Sequence, residues 1–200
     1  MISPMSDLIS KMRLILFQYP LLASGWLAMS ITMAQLRAPA SYHWVKNTIS
    51  DLGAQHYEKG WMMQLGFIGF GLLLVGGGLA DLVSGQLSLL RASPVILYGL
   101  AVALTGIFCT QPFWTDAFYS VQESRLHSVL AQLAGLSFSV AIVVQLLAPQ
   151  RPSDRAIHAT VLLLVLGLSG SFKFFSEYAG LLQRVLYLVS LTWLSFMFKA

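Results

Sequence analysis

Charge is scarce in this 200-residue chain: only 10% of its residues are Asp, Glu, Lys or Arg. A soluble domain carries about 25%. A chain this poor in charge cannot clothe a water-facing surface, so lipid is the expected solvent for much of it. The 12 Lys and Arg residues form no run or basic stripe, which argues against nucleic acid as a partner. A single cysteine, Cys109, excludes an internal disulfide. No segment alternates in the manner of a barrel strand, and no internal repeat stands out. The first apolar stretch is too long for a signal peptide and lacks an Ala-x-Ala-like exit, so it reads as a helix that stays.

Apolar residues dominate instead, at 56% of the chain with a mean hydropathy of +0.72. They fall into six stretches, at about 14–36, 61–83, 94–109, 127–148, 157–175 and 180–198. A helix needs roughly 20 apolar residues to cross the hydrocarbon core. The expected fold is therefore all-α, a polytopic integral membrane bundle of six transmembrane helices in a single domain over residues 1–200. The glycines of the second stretch, Gly66, Gly69, Gly71 and Gly76 to Gly78, read as tight helix packing. Trp44, Trp61, Trp114, Tyr119 and Tyr178 fit an interfacial aromatic belt, and Asp81 and His158 read as interfacial residues.

An even number of crossings puts both termini on one side. The Lys and Arg count ties at six on each side of the 12. Lys11 and Arg13 directly precede the first helix, which favours cytoplasmic termini. The acidic residues and histidines do not tie. Five of the eight carboxylates and three of the four histidines fall on the side away from the termini. The first loop there brings His43, Lys46, Ser50, Asp51 and His56. The second brings Asp116, Glu123 and His127, and the third Lys173, Glu177 and Arg184. Ionisable groups at membrane depth are costly and usually face a bundle interior.

Each of these residues has two readings. His127 opens the fourth helix, with Ala131, Gly135 and Ser139 following on the same face. The small residues would let helices approach closely and aim His127 inward, as a general base, as a metal ligand, or as a cap for a neighbouring loop. Ser50 and Asp51 serve equally well as caps of a short helix or as a functional pair with His127. His43, His56 and His127 together would make a three-imidazole zinc site, although no His-x-x-x-His spacing supports one. Lys173 and Glu177, four apart, would pair on a helix. Arg184 would reach Asp51 or a lipid phosphate.

The run Asn47 to Ala54, NTISDLGA, resembles the hallmark box of the bacterial six-helix membrane family catalogued as domain of unknown function 998. Gly106-Ile107-Phe108, His127 and Gly180-Leu-Leu-Gln-Arg184 match further boxes of that family in the same order. The Ser-Asp box is also distantly similar to that of the DRAM and Sfk membrane proteins, which are linked to lipid homeostasis. The chain departs from the pattern after Phe108, where either Asp116 would substitute for the family's acidic position or the site would lack that carboxylate. The resemblance implies a bacterial inner membrane protein with Ser50, Asp51, His127 and Arg184 as its site.

Three functions compete. The first is binding or processing of a lipid headgroup, with Ser50, Asp51 and His127 as catalytic candidates and Lys46, Arg184, Glu177 and Asp116 as binding candidates. The second is a non-catalytic scaffold or accessory subunit that meets itself or another membrane protein. The third is a small-solute transporter, for which broken helices and inverted repeats are missing. No cofactor is expected beyond the zinc that the histidines would hold.

Overall fold

A computed structural model describes residues 18–196 and 198. The expectations for Lys11, Arg13 and the first helix before Gln18 lie outside the described residues. Six long helices follow one another: α1 (Tyr19–Leu36), α2 (Trp61–Val83), α3 (Leu89–Ile107), α4 (Val121–Leu147), α5 (Pro152–Ser171) and α6 (Ala179–Phe196). Two short 3-10 turns, Ser50–Gly53 and Ser176–Tyr178, lie in the connections. Among the described residues there is no strand. The turn before α6 continues into it, and this Ser176–Phe196 segment joins α2, α3 and α4 as the four among the described residues that are long and apolar enough to cross a membrane.

The helix starts differ from expectation for local reasons. Helix α3 begins at Leu89 rather than Pro94, after Ser88 in an extended conformation. Pro94 thus lies inside the helix, past its first turn, and withholds the N–H that would otherwise bond the carbonyl of Leu90. Helix α4 begins at Val121, six residues before His127, because the side chain of Ser120 accepts from the N–H of Glu123. Helix α5 begins at Pro152, whose fixed φ and missing N–H suit a first turn.

The glycines of α2 pack tightly except Gly76, where a Cβ would meet nothing within 4 Å. A Cβ on Gly66 would lie 2.6 Å from Cβ of Ser30, and one on Gly71 would run into the carbonyl oxygen of Gly99. Backbones of α1, α2 and α3 therefore approach closely, and Phe70, Leu74, Leu27 and Val95 fill the layer between them. Trp193, 1% exposed, joins α6 to α4 and α5 through Phe138 and His158. His158 is buried in the bundle: it is 4% exposed, and its Nδ1 accepts from Nε1 of Trp193 at 2.9 Å. Asp81, in the last turn of α2, is likewise buried, at 5% exposure. Exposed Leu, Met, Val and Phe side chains cover the outside of the bundle, as a lipid-facing surface requires.

Candidate functional site

The loop between α1 and α2 does not dangle. It is locked to the start of α6 by main-chain bonds: the N–H of Gly180 donates to Lys46 O at 3.2 Å, and that of Leu181 to Val45 O at 3.0 Å. These are two of the orphan donors that every helix start leaves. Side chains complete the lock, since Oε1 of Gln183 accepts from the N–H of Ile49. The Arg184 guanidinium donates to the carbonyls of Trp44 (2.8 Å), Asn47 (3.1 Å) and Gly180 (2.9 Å), to Gln35 Oε1 (2.6 Å) and to the Tyr42 hydroxyl (2.7 Å). A Cβ on Gly180 would collide with the carbonyl oxygens of Asn47 and Trp44, so the glycine lets the loop lie directly on the helix. Burial pushes the Tyr42 hydroxyl above its ordinary range, and Arg184 partly offsets this.

A second lock, absent from the sequence reading, runs through Gln55, which is 7% exposed. Its amide donates to Cys109 O (3.1 Å) and Ser120 O (3.2 Å) and accepts from Ser120 N (2.8 Å). This ties the first loop to the α3–α4 connection. Glu123 belongs to the same junction, with Oε1 accepting from the N–H of Cys109 at 2.7 Å. Burial, reinforced by the neighbouring Glu123 carboxylate, pushes the Cys109 thiol up to about 11. That thiol stays protonated at neutral pH and serves as packing.

Beneath these locks lies a cavity of about 780 Å³ between α4, α5 and α6. Its loop end is polar, with Thr48, Ser50, Asp51, Thr110, His127 and Gln183. Its deeper wall is mostly apolar, including Phe67, Val102, Phe138, Val165 and Leu186. His127, Ala131, Gly135 and Ser139 all line it. The small residues therefore do not draw helices together. A Cβ on Gly135 would meet nothing within 4 Å, and the stripe is the wall of the space. From His127 to Ser139 that wall runs about 18 Å along the helix.

Two residues at the polar end are oriented by their surroundings. Nδ1 of His127 faces Phe108 O at 2.8 Å and Thr105 O at 3.2 Å. Carbonyls only accept, so Nδ1 carries the proton and Nε2 of the neutral ring presents a lone pair. Asp51 closes a reciprocal turn with Thr48: its Oδ2 accepts from the Thr48 N–H at 2.7 Å, and its own N–H donates to Thr48 Oγ1 at 3.3 Å. Burial pushes the Asp51 carboxyl above the ordinary carboxylate range, and the bonds from Thr48 and Asn47 pull it back. Ser50 shares a hydrogen bond with Thr48 Oγ1 at 2.9 Å. Capping and lining thus coexist in the same residues.

The other candidates do not join this group. Lys46, Asp116 and Glu177 are exposed and lie outside the cavity. Asp116 adopts a positive φ of 64° in its loop and does not stand in for a buried acid. Lys173 and Glu177 are not on one helix, because α5 ends at Ser171 and a separate turn holds Glu177. Arg184 binds five neutral oxygens rather than Asp51. His43 and His56 are exposed, and among the described residues no three His, Cys, Asp or Glu side chains converge on a metal-sized point.

Helices, locks and cavity together define a polytopic helical membrane protein with a polar-ended internal space. The chain belongs to the family described as Protein of unknown function (DUF998), whose model matches residues 21–198. No curated protein and no solved structure matches it.

Proposed function

We propose that this protein binds a membrane lipid in the cavity and acts on, or senses, its headgroup at Ser50, Asp51 and His127. The supporting observation is the lining itself: a polar end carrying these residues and a mostly apolar wall of helical length below it. Nε2 of His127 is the proton acceptor of the site, Asp51 supplies negative charge, and Ser50 supplies a hydroxyl. The reading includes six crossings of a bacterial inner membrane with cytoplasmic termini, supported by Lys11 and Arg13 ahead of the first helix. Native mass spectrometry of the protein in detergent, wild type beside His127→Ala, tests it. A defined lipid carried by the wild type and lost from the variant is expected. A clean mass for both, with the variant merely less stable, would overturn the reading.

A scaffold role is the second reading. The interlocking of three connections through Gln55, Gln183 and Arg184 favours it, because those side chains act on the protein's own backbone. The cavity residues distinguish the two readings: a scaffold has no use for an internal space of this size.

A further inference from the structure

The cavity wall is chemically one-sided. Asp51 and His127 line it, and among the described residues no Lys or Arg does. The nearby Arg184 has committed its guanidinium to five neutral oxygens, and Lys46 is exposed and outside the cavity lining. With Nδ1 of His127 held as a donor to the carbonyls of Phe108 and Thr105, Nε2 is an acceptor. The Asp51 carboxylate is an acceptor too, with Oδ2 taking the Thr48 N–H. Two strong acceptors call for donors opposite them. An anionic head would sit beside a carboxylate with no cation to balance it, at a depth where charges are poorly screened.

The way in is also legible. Leu136 on α4 and Leu166 on α5 line the cavity and yet are 64% and 53% exposed. They mark a mouth between these two helices that faces the bilayer sideways. A volume of about 780 Å³ lies within the range of roughly 300–1,000 Å³ typical of small-molecule sites. It suits one chain and a compact head.

We infer that the cavity takes a single-chain lipid whose head donates hydrogen bonds, a glycerol monoester, long-chain alcohol or long-chain amine, and rejects anionic amphiphiles. This rests on the lipid reading above and narrows it to a class. The head would give its hydroxyl or ammonium protons to Asp51 and to Nε2 of His127, while the chain runs down the Ala131–Gly135–Ser139 face.

The test is a native mass spectrometry titration of the full chain in detergent with four probes sharing an oleoyl chain: 1-monoolein, oleylamine, oleate and oleoyl lysophosphatidylglycerol. Monoolein and oleylamine are expected to bind at least about tenfold tighter than the two anions. Asp51→Asn is expected to reduce oleylamine to the level of monoolein, and Gly135→Leu to abolish binding of both. Oleate or lysophosphatidylglycerol binding as well as monoolein would overturn the donor-head class and leave the lipid reading standing. Absence of binding by all four probes, or binding unchanged in Gly135→Leu, would overturn the lipid reading as well.

Discussion

The main-chain N–H of Ile49 donates to Oε1 of Gln183, 134 residues further along the chain. With the bond from Arg184 to the carbonyl of Asn47, it joins the two boxes of the family resemblance, NTISDLGA and Gly180 to Arg184, into one structural unit. Gly180 gives room, Gln183 satisfies a loop N–H, and Arg184 collects the loop carbonyls. Together they hold Thr48, Ser50 and Asp51 over the mouth of the bundle. The unit divides its labour, because its α6 residues fix the loop and its loop residues face the cavity.

Arg184 is expected to behave as a clamp. Arg184→Lys keeps the charge but loses the planar fork that reaches five acceptors at once. It should lower the melting temperature in detergent almost as much as Arg184→Ala. A lysine variant as stable as wild type would show that charge alone suffices.

Gln183→Leu keeps the bulk and strands a half-buried N–H at Ile49. Such a loss costs roughly 1–3 kcal/mol. Thermal unfolding should register that drop, and limited proteolysis should cut loop 37–60 sooner. Gln183→Glu, which retains an acceptor, should restore much of the protection.

Asp51→Asn is expected to leave the fold intact at neutral pH, because an amide oxygen still accepts from Thr48. The pH dependence has a definite sign. Burial raises the Asp51 carboxyl above its ordinary range. Its contribution to wild-type stability is therefore fully present below the unfolded carboxylate pKa and is lost as pH rises through the raised folded value. The melting temperature of the asparagine variant relative to wild type should accordingly climb from acid towards neutral pH and then level off. A variant that falls further behind as pH rises would mean the carboxylate is stabilised in the fold, contrary to this account.

Gly135→Leu should be tolerated structurally, because a Cβ there meets nothing within 4 Å. The new side chain would occupy the cavity, so the melting temperature should hold while lipid retention disappears. By contrast, Gly71→Leu should fail to fold, since its Cβ would strike the Gly99 carbonyl. Equal damage from the two would mean that the space beside Gly135 closes in the membrane.

Much of the fold was legible because long apolar stretches leave little choice of structure. The second stretch, expected at 61–83, is α2, Trp61–Val83. The starts of α3, α4 and α5 were not legible from hydropathy, because polar first turns carry them: Ser88, the Ser120–Glu123 cap and Pro152. At the site, the sequence pointed to Ser50, Asp51 and His127, and all three line one cavity. The stripe after His127 misled, since small residues permit either close packing or an open wall, and only the neighbouring helices decide. Gln55 gave no signal at all. A lone amide in a loop looks solvated until tertiary contacts bury it, and its two partners lie 54 and 65 residues away.

The central claim, that the space between α4, α5 and α6 holds a lipid chain, is tested most directly by photo-crosslinking. A monoolein analogue with a diazirine in its chain would be irradiated with the protein in nanodiscs, and the labelled residues mapped by mass spectrometry. The account predicts labels on Val165, Leu186 and Tyr187 inside the cavity, suppressed by excess monoolein and absent from Gly135→Leu. Labels confined to outward residues such as Leu163 and Leu188, and indifferent to competitor, would contradict it.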